Sequence, residues 1–333
     1  MSWVSDGEKF ALLGLNIDMV ESLPALKLPQ GYSILQNRFV LPEHWKEWLG
    51  STRVEEVEEC SVYLVVTMQA KQPDVIDDDN LKLKKLINHW YFGLLLTDKF
   101  VNISNPFIAI GVRQRGEIDV LEFQPFEAAG SGIVEHYPAV SGGHLERAIN
   151  IAKTLESLAS TGGVSNWRLL RCLAIYRDAR IKTDLLDRLH QFVRCIDGLI
   201  VSEPGRGKQQ FKGRTELFIG SIHQAFMGEL FDLRSHIEHL HENLHLEIFD
   251  RDVRIEIARK EAVSEFIART CLLQILESPD LCLHFGNVEA LRAFWQIEQS
   301  ERREIWGPPV DPYSVLKGFS FEHVSDQDLG KSY

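Results

Sequence analysis

Residues 231–245, FDLRSHIEHLHENLH, carry one arginine, four histidines and three acidic side chains in fifteen positions. Two kinds of chemistry fit such a set. The first is metal binding: His236 and His239 are three apart, and His241 and His245 four apart, spacings that converge on one face of a helix, with Glu238 and Glu242 as further ligands. No cysteine or second histidine cluster stands nearby to complete a shell, so no metal is expected. The second is RNA cleavage by an arginine followed, after four to six residues, by a histidine, a pattern that Arg234 forms with both His239 and His241. RNA supplies its own nucleophile, the 2′-OH. An imidazole, titrating near neutrality, can exchange the proton, while a guanidinium forks onto the phosphate oxygens and stays charged. The bland alternative is the wet face of an ordinary helix. Spacing alone decides little, because a chain with 21 arginines and 12 histidines produces such pairs by chance, as from Arg38 to His44.

Helix geometry divides the two histidines. At about 100° per residue, His239 lies about 140° around a straight helix from Arg234, whereas His241 returns to within about 20° of it. Arg234 follows Leu230 by four and precedes Ile237 by three, so it sits on an apolar stripe. A charge there needs a buried partner, such as Asp232 or a glutamate of a neighbouring helix, or a place at a subunit interface.

A phosphate loop is suggested by SEPGRGKQQ, where Gly205, Gly207 and Lys208 resemble the end of a Walker A sequence. The pattern fails at both ends: Ser202 stands at the first glycine, Gln209 at the hydroxyl position, and no strand precedes it. A basic loop between helices is the simpler expectation. Its Arg206, Lys208, Lys212 and Arg214 remain candidates for contact with RNA phosphates. Charge distribution favours that role. The chain is acidic as a whole, at −12, which argues against an indiscriminate nucleic-acid coat, but residues 168–214 hold 11 basic and 5 acidic side chains. Residues 1–140 hold 12 basic and 20 acidic ones.

These residues must be positioned by two halves of different character. FALLGLNI, YSILQNRFVL, CSVYLVVTMQ, PFIAIGV and EIDVLEFQPF predict strands, with a hairpin turning at Gly116. Between them, Asp79 or Asn80 can cap a helix whose Leu83, Leu86, Ile87, Trp90 and Leu94 share one face. The Gly, Ser and Pro of EAAGSGIVEHYPAVSGG predict a linker. Beyond it five segments show helical periodicity. The clearest is a stripe from Leu185 to Ile200 behind a capping Thr183 or Asp184, and the fourth is expected to run unbroken over residues 213–244. The sequence therefore predicts a mixed α+β domain over residues 1–140, an all-α helical bundle over 141–305 and a tail over 306–333 that is only partly ordered or draped over the bundle. Five scattered cysteines without a CxxC pair predict buried free thiols. There is no apolar run of about eighteen residues and no secretory leader, so a cytoplasmic protein with no membrane partner is expected.

The segment FDLRSHIEH resembles the Tyr-x-Leu-Arg-Ser-x-x-x-His core of ApeA-like HEPN domains. RLHQFVRCIDGLIV and FKGRTELFIG resemble the two helical segments before that core, and LPEHWKEWLG with DNLKLKKLINHWYFGLLL resembles, more loosely, the mixed domain that precedes the bundle. Phe231 stands where the family has tyrosine, and Leu240 where a glycine often follows the histidine. The resemblance implies a HEPN-type bundle and a metal-independent endoribonuclease of the toxin or antiviral-defence type. It implies a homodimer whose paired Arg234 and His239 meet across the two-fold axis, with His241 in reserve and no cofactor. It also implies an N-terminal domain that senses or restrains through a regulatory ligand or protein partner. The alternative within the family is a non-catalytic dimerisation or regulatory adaptor.

Overall fold

The computed structural model describes residues 3–20, 26–27, 31–36, 43–97, 99–100, 106–130, 132–134, 139–162, 165–239, 246 and 249–330. The chain forms two compact units, Met1–Ala129 with Tyr137–Lys153, and Gly130–His136 with Thr154–Tyr333. The first is α+β. The second is helical, and among its described residues there is no strand.

The sheet of the first unit has the order β2-β3-β4-β1-β5-β6, all antiparallel: β1 (Glu8–Leu15), β2 (Leu26–Lys27), β3 (Tyr32–Gln36), β4 (Val62–Gln69), β5 (Phe107–Gln114) and β6 (Glu117–Pro125). Strand β1 is apolar without alternation because both of its faces are covered. Phe10 and Leu12 pack with Trp45 and Val57 of helix α1 (Glu43–Glu58), which is interrupted at Gly50. Helix α2 (Asp78–Thr97) also packs on the sheet, burying Leu83, Ile87, Trp90 and Leu94 as predicted, with Leu86 half-buried. Its start differs from expectation. Asp77, two residues before the first of the expected caps, accepts the Asp79 N–H at 2.9 Å and the buried Lys9 ammonium at 2.7 Å, and the Lys9 bond holds its carboxyl below the usual range. The predicted hairpin joins β5 to β6 through Arg115 and Gly116, both left-handed at φ 54° and 85°, the two-residue turn whose twist matches the strands.

Helix α3 (Gly142–Gly162) follows the sheet in sequence. The helical unit is built around α5 (Leu185–Gly198), which packs on α4 (Trp167–Ile181), α7 (Gln224–Glu238) and α8 (Arg251–Glu277). Its cap is Asp184, whose side chain accepts the Asp187 N–H at 2.8 Å, and Leu189, Phe192, Val193 and Ile196 are fully buried. Two ion pairs tie this core together. Arg188 meets Glu261 at 2.8 Å, and Arg180 meets Glu265 at 3.3 Å, all four side chains buried. The segment expected as one helix over 213–244 is broken: α6 (Gly207–Ile219) ends at Gly220, whose φ of 87° suits only glycine, and a 3-10 turn at Ser221–His223 restarts the chain into α7.

Helices α9 (Pro279–Gly286), α10 (Val288–Gln296) and α11 (Gln299–Trp306) follow. The described part of the tail, residues 307–330, lies on α8, where Asp326 accepts from Arg251 at 2.7 Å and from the buried Arg254 at 2.8 Å. All five cysteines are free and four are buried, and burial pushes the Cys60 and Cys172 thiols up to about 12. Among the described residues no helix is long and apolar enough to cross a membrane.

Candidate functional site

Arg234 lies on α7 where that helix packs against α5, on the stripe the sequence places it on. Its Nη1 donates to Asp197 Oδ2 at 2.8 Å and its Nη2 to Glu238 Oε2 at 3.2 Å, and the guanidinium carbon stands 5.5 Å from the Phe231 ring centre. The buried Nε makes no hydrogen bond. The partners expected from sequence are thus replaced. Asp232 instead binds Lys208 at 2.5 Å, and the interhelical partner is a half-buried aspartate of the neighbouring helix. Asp197 occupies the last turn of α5, where the helix dipole disfavours a carboxylate, and the Arg234 charge offsets that penalty. An acidic residue in the last turn of a strongly amphipathic helix was the available signal for this pair, and the spacing around Arg234 does not contain it.

Two carboxylates share the one guanidinium, so an incoming phosphate competes with both for Arg234. The pairs differ in how easily they yield. Glu238 is 44% exposed and bound only through an i,i+4 contact, worth about 0.3–0.5 kcal/mol, whereas Asp197 is 27% exposed and held across two helices. Glu238 is therefore the group that phosphate can displace.

His239 is exposed at the C-cap of α7, with φ −92° and ψ 9°, and its N–H donates to Ser235 O at 3.1 Å. His241 lies outside the described residues, as does Arg38. His44, the other half of that chance pair, bonds Asp119 at 2.9 Å and Ile118 O at 3.1 Å. A histidine that the motif does not contain feels the charge of the arginine. His190 precedes Asp197 by seven residues on the same face of α5, and its Nε2 is buried without a hydrogen bond. Burial lowers its pKa, Arg194 and Arg234 lower it further, and Glu238 and Asp187 oppose them. The shift favours the neutral ring, the form that accepts a proton.

Arg206, Lys208, Lys212 and Arg214 all line one open cavity of 760 Å³, together with Arg302 of α11 and no carboxylate among the described lining residues. The stems of Lys208 and Lys212 run over Gly228 of α7. Arg214 and Arg302 stand over the Trp295 ring at 5.3 and 5.7 Å. Part of Arg214 is committed elsewhere, since its Nη1 donates to Ile200 O at 2.6 Å and Val201 O at 2.7 Å. The cavity adjoins the arginine site, because Gly207 at the start of α6 lies against Phe231 and Lys208 is bound to Asp232. The segment before α6 is helix α5 and a loop, so the Walker-like glycines have no strand before them. Among the described residues no three histidine, cysteine or carboxylate side chains gather to hold a metal ion.

No protein-family model matches the chain, and no curated protein or solved structure matches it either.

Proposed function

We propose that the chain is a metal-independent endoribonuclease of the HEPN type, acting as a toxin or antiviral-defence effector. Arg234 grips the phosphate while the 2′-OH attacks phosphorus and the 5′ oxygen leaves. The proton of the 2′-OH ends on that oxygen, giving a 2′,3′-cyclic phosphate and a 5′-OH. His239 and His241 are the histidines that the family resemblance assigns to proton transfer, contributed across a homodimer, and the α+β unit senses or restrains through a ligand or partner. The observation that carries this reading is the placement of Arg234: a guanidinium paired through a displaceable carboxylate, beside a cavity of cations. RNA cleavage by the purified full chain in EDTA, lost in Arg234→Ala, is the expected result. Cleavage that survives both Arg234→Ala and His239→Ala removes the site assignment.

One observation favours a second reading. Asp197 and Glu238 already neutralise Arg234, as they would in a non-catalytic adaptor bundle in which the arginine serves packing alone. Under that reading no cleavage is measured at any pH, and Arg234→Ala changes stability or oligomeric state only.

A further inference from the structure

Gly213 stands in the middle of α6, where glycine costs about 1 kcal/mol relative to alanine. Nothing in the fold demands it. Its backbone is not left-handed, and a Cβ added there would meet no atom within 4 Å. What distinguishes the position is that it lines the basic cavity. The same cavity presents the amides of Gln209 and Gln224, which can donate to and accept from the edge of a base. Arg206 and Lys208 hold Glu203 at 3.5 Å and Asp232 at 2.5 Å, in exposed pairs that a phosphate can exchange. An open cavity lined by cations and amides in an acidic protein, with a helix-weakening glycine in its wall, suits a ligand that combines phosphate with a polar heterocycle.

We infer that this cavity binds a nucleotide, with its phosphate on Arg206, Lys208 and Lys212 and its base against Gln209, Gln224 and the Arg302 guanidinium. A cavity of 760 Å³ accommodates one nucleotide with its flanking phosphates. The inference rests on the proposed nuclease function only for the identity of the strand as RNA. A free nucleotide has the same chemistry.

The test is binding of a labelled, 2′-O-methylated eight-nucleotide single strand to the full chain by fluorescence anisotropy, since such a strand cannot be cleaved through its 2′-OH. Three phosphate-facing cations predict a log K that falls with log salt at a slope of about −2. Gly213→Ala keeps the affinity, whereas Gly213→Glu, which sets a carboxylate among the cations at a position open to side chains, weakens it ~10-fold or more without lowering Tm. Competition by 5′-mononucleotides at concentrations that inorganic phosphate cannot match shows that the free nucleotide suffices. Competition by strands alone assigns the site to RNA. Undiminished binding by Gly213→Glu, no binding of either ligand by the wild-type chain, or equal competition by inorganic phosphate overturns the inference. Arg234-dependent cleavage that persists beside the first of these results leaves the nuclease standing, and Gly213-dependent binding without cleavage removes the nuclease and leaves the pocket.

Discussion

Two sets of arginines in the helical unit meet carboxylates under opposite conditions. Arg180 and Arg188 are sealed in the core, with side chains 0% and 3% exposed, and face Glu265 and Glu261 at 1% and 2%. Arg234 stands at the rim, 18% exposed, and its second partner reaches solvent. Sealed pairs hold one arrangement because neither member can leave without stranding a charge out of water, a penalty of about 3–5 kcal/mol. A rim pair loses only a fraction of that and regains hydration. The contrast shows that arginine–carboxylate pairing has two uses in one bundle, one that fixes helix packing and one that can be exchanged for another anion.

The largest expected effect lies in the core. Glu261→Ala should lower the unfolding free energy by about 3–5 kcal/mol in urea denaturation, and the Arg188→Met, Glu261→Met double variant should recover most of it. A single variant as stable as the parent would erase the distinction. At the rim the ordering of effects reverses: Arg234→Ala should cost only about 1 kcal/mol of stability but reduce RNA cleavage by about 10²–10³, measured with EDTA present. Comparable losses in both assays would place Arg234 with the sealed pairs. Glu238→Gln should sharpen the contrast, raising cleavage several-fold at limiting RNA, because phosphate no longer competes with a carboxylate for Arg234. A decrease would show that Glu238 orders the arginine instead.

The smallest effect concerns His190. Its folded pKa is depressed, so the unfolded chain binds the proton more readily, and stability is complete above the ordinary histidine value and lost as pH falls below it. His190→Gln should flatten the slope of Tm between about pH 6.5 and the lower folded value. An unchanged slope would show that the acid sensitivity arises elsewhere.

Local features were legible and long-range ones were not. The turn at Gly116, the capping Asp184 and the stripe behind it are encoded within a few neighbouring residues, and the structure keeps them. The break at Gly220 was hidden because apolar residues continue at helical spacing on both sides, so periodicity carries across a residue that the backbone turns left-handed. Helix α1 was missed for the opposite reason: only Trp45 and Val57 of its residues are buried, too few to form a stripe. The site shows the same division. The basic residues of α6 were found because they are close in sequence, whereas Arg302, Asp197 and His190 join the cavity or the arginine only through the packing of separate helices.

The bonds from Arg251 and Arg254 to Asp326 also set an order of events during synthesis. Arg254 is buried near the start of α8, yet the carboxylate that receives it is 72 residues further along the chain. On a ribosome, α5, α7 and α8 emerge well before that carboxylate. Until it arrives, Arg254 has its bond to Phe249 O, five residues earlier, and its bond to Asp326 forms after the helices of the unit are made.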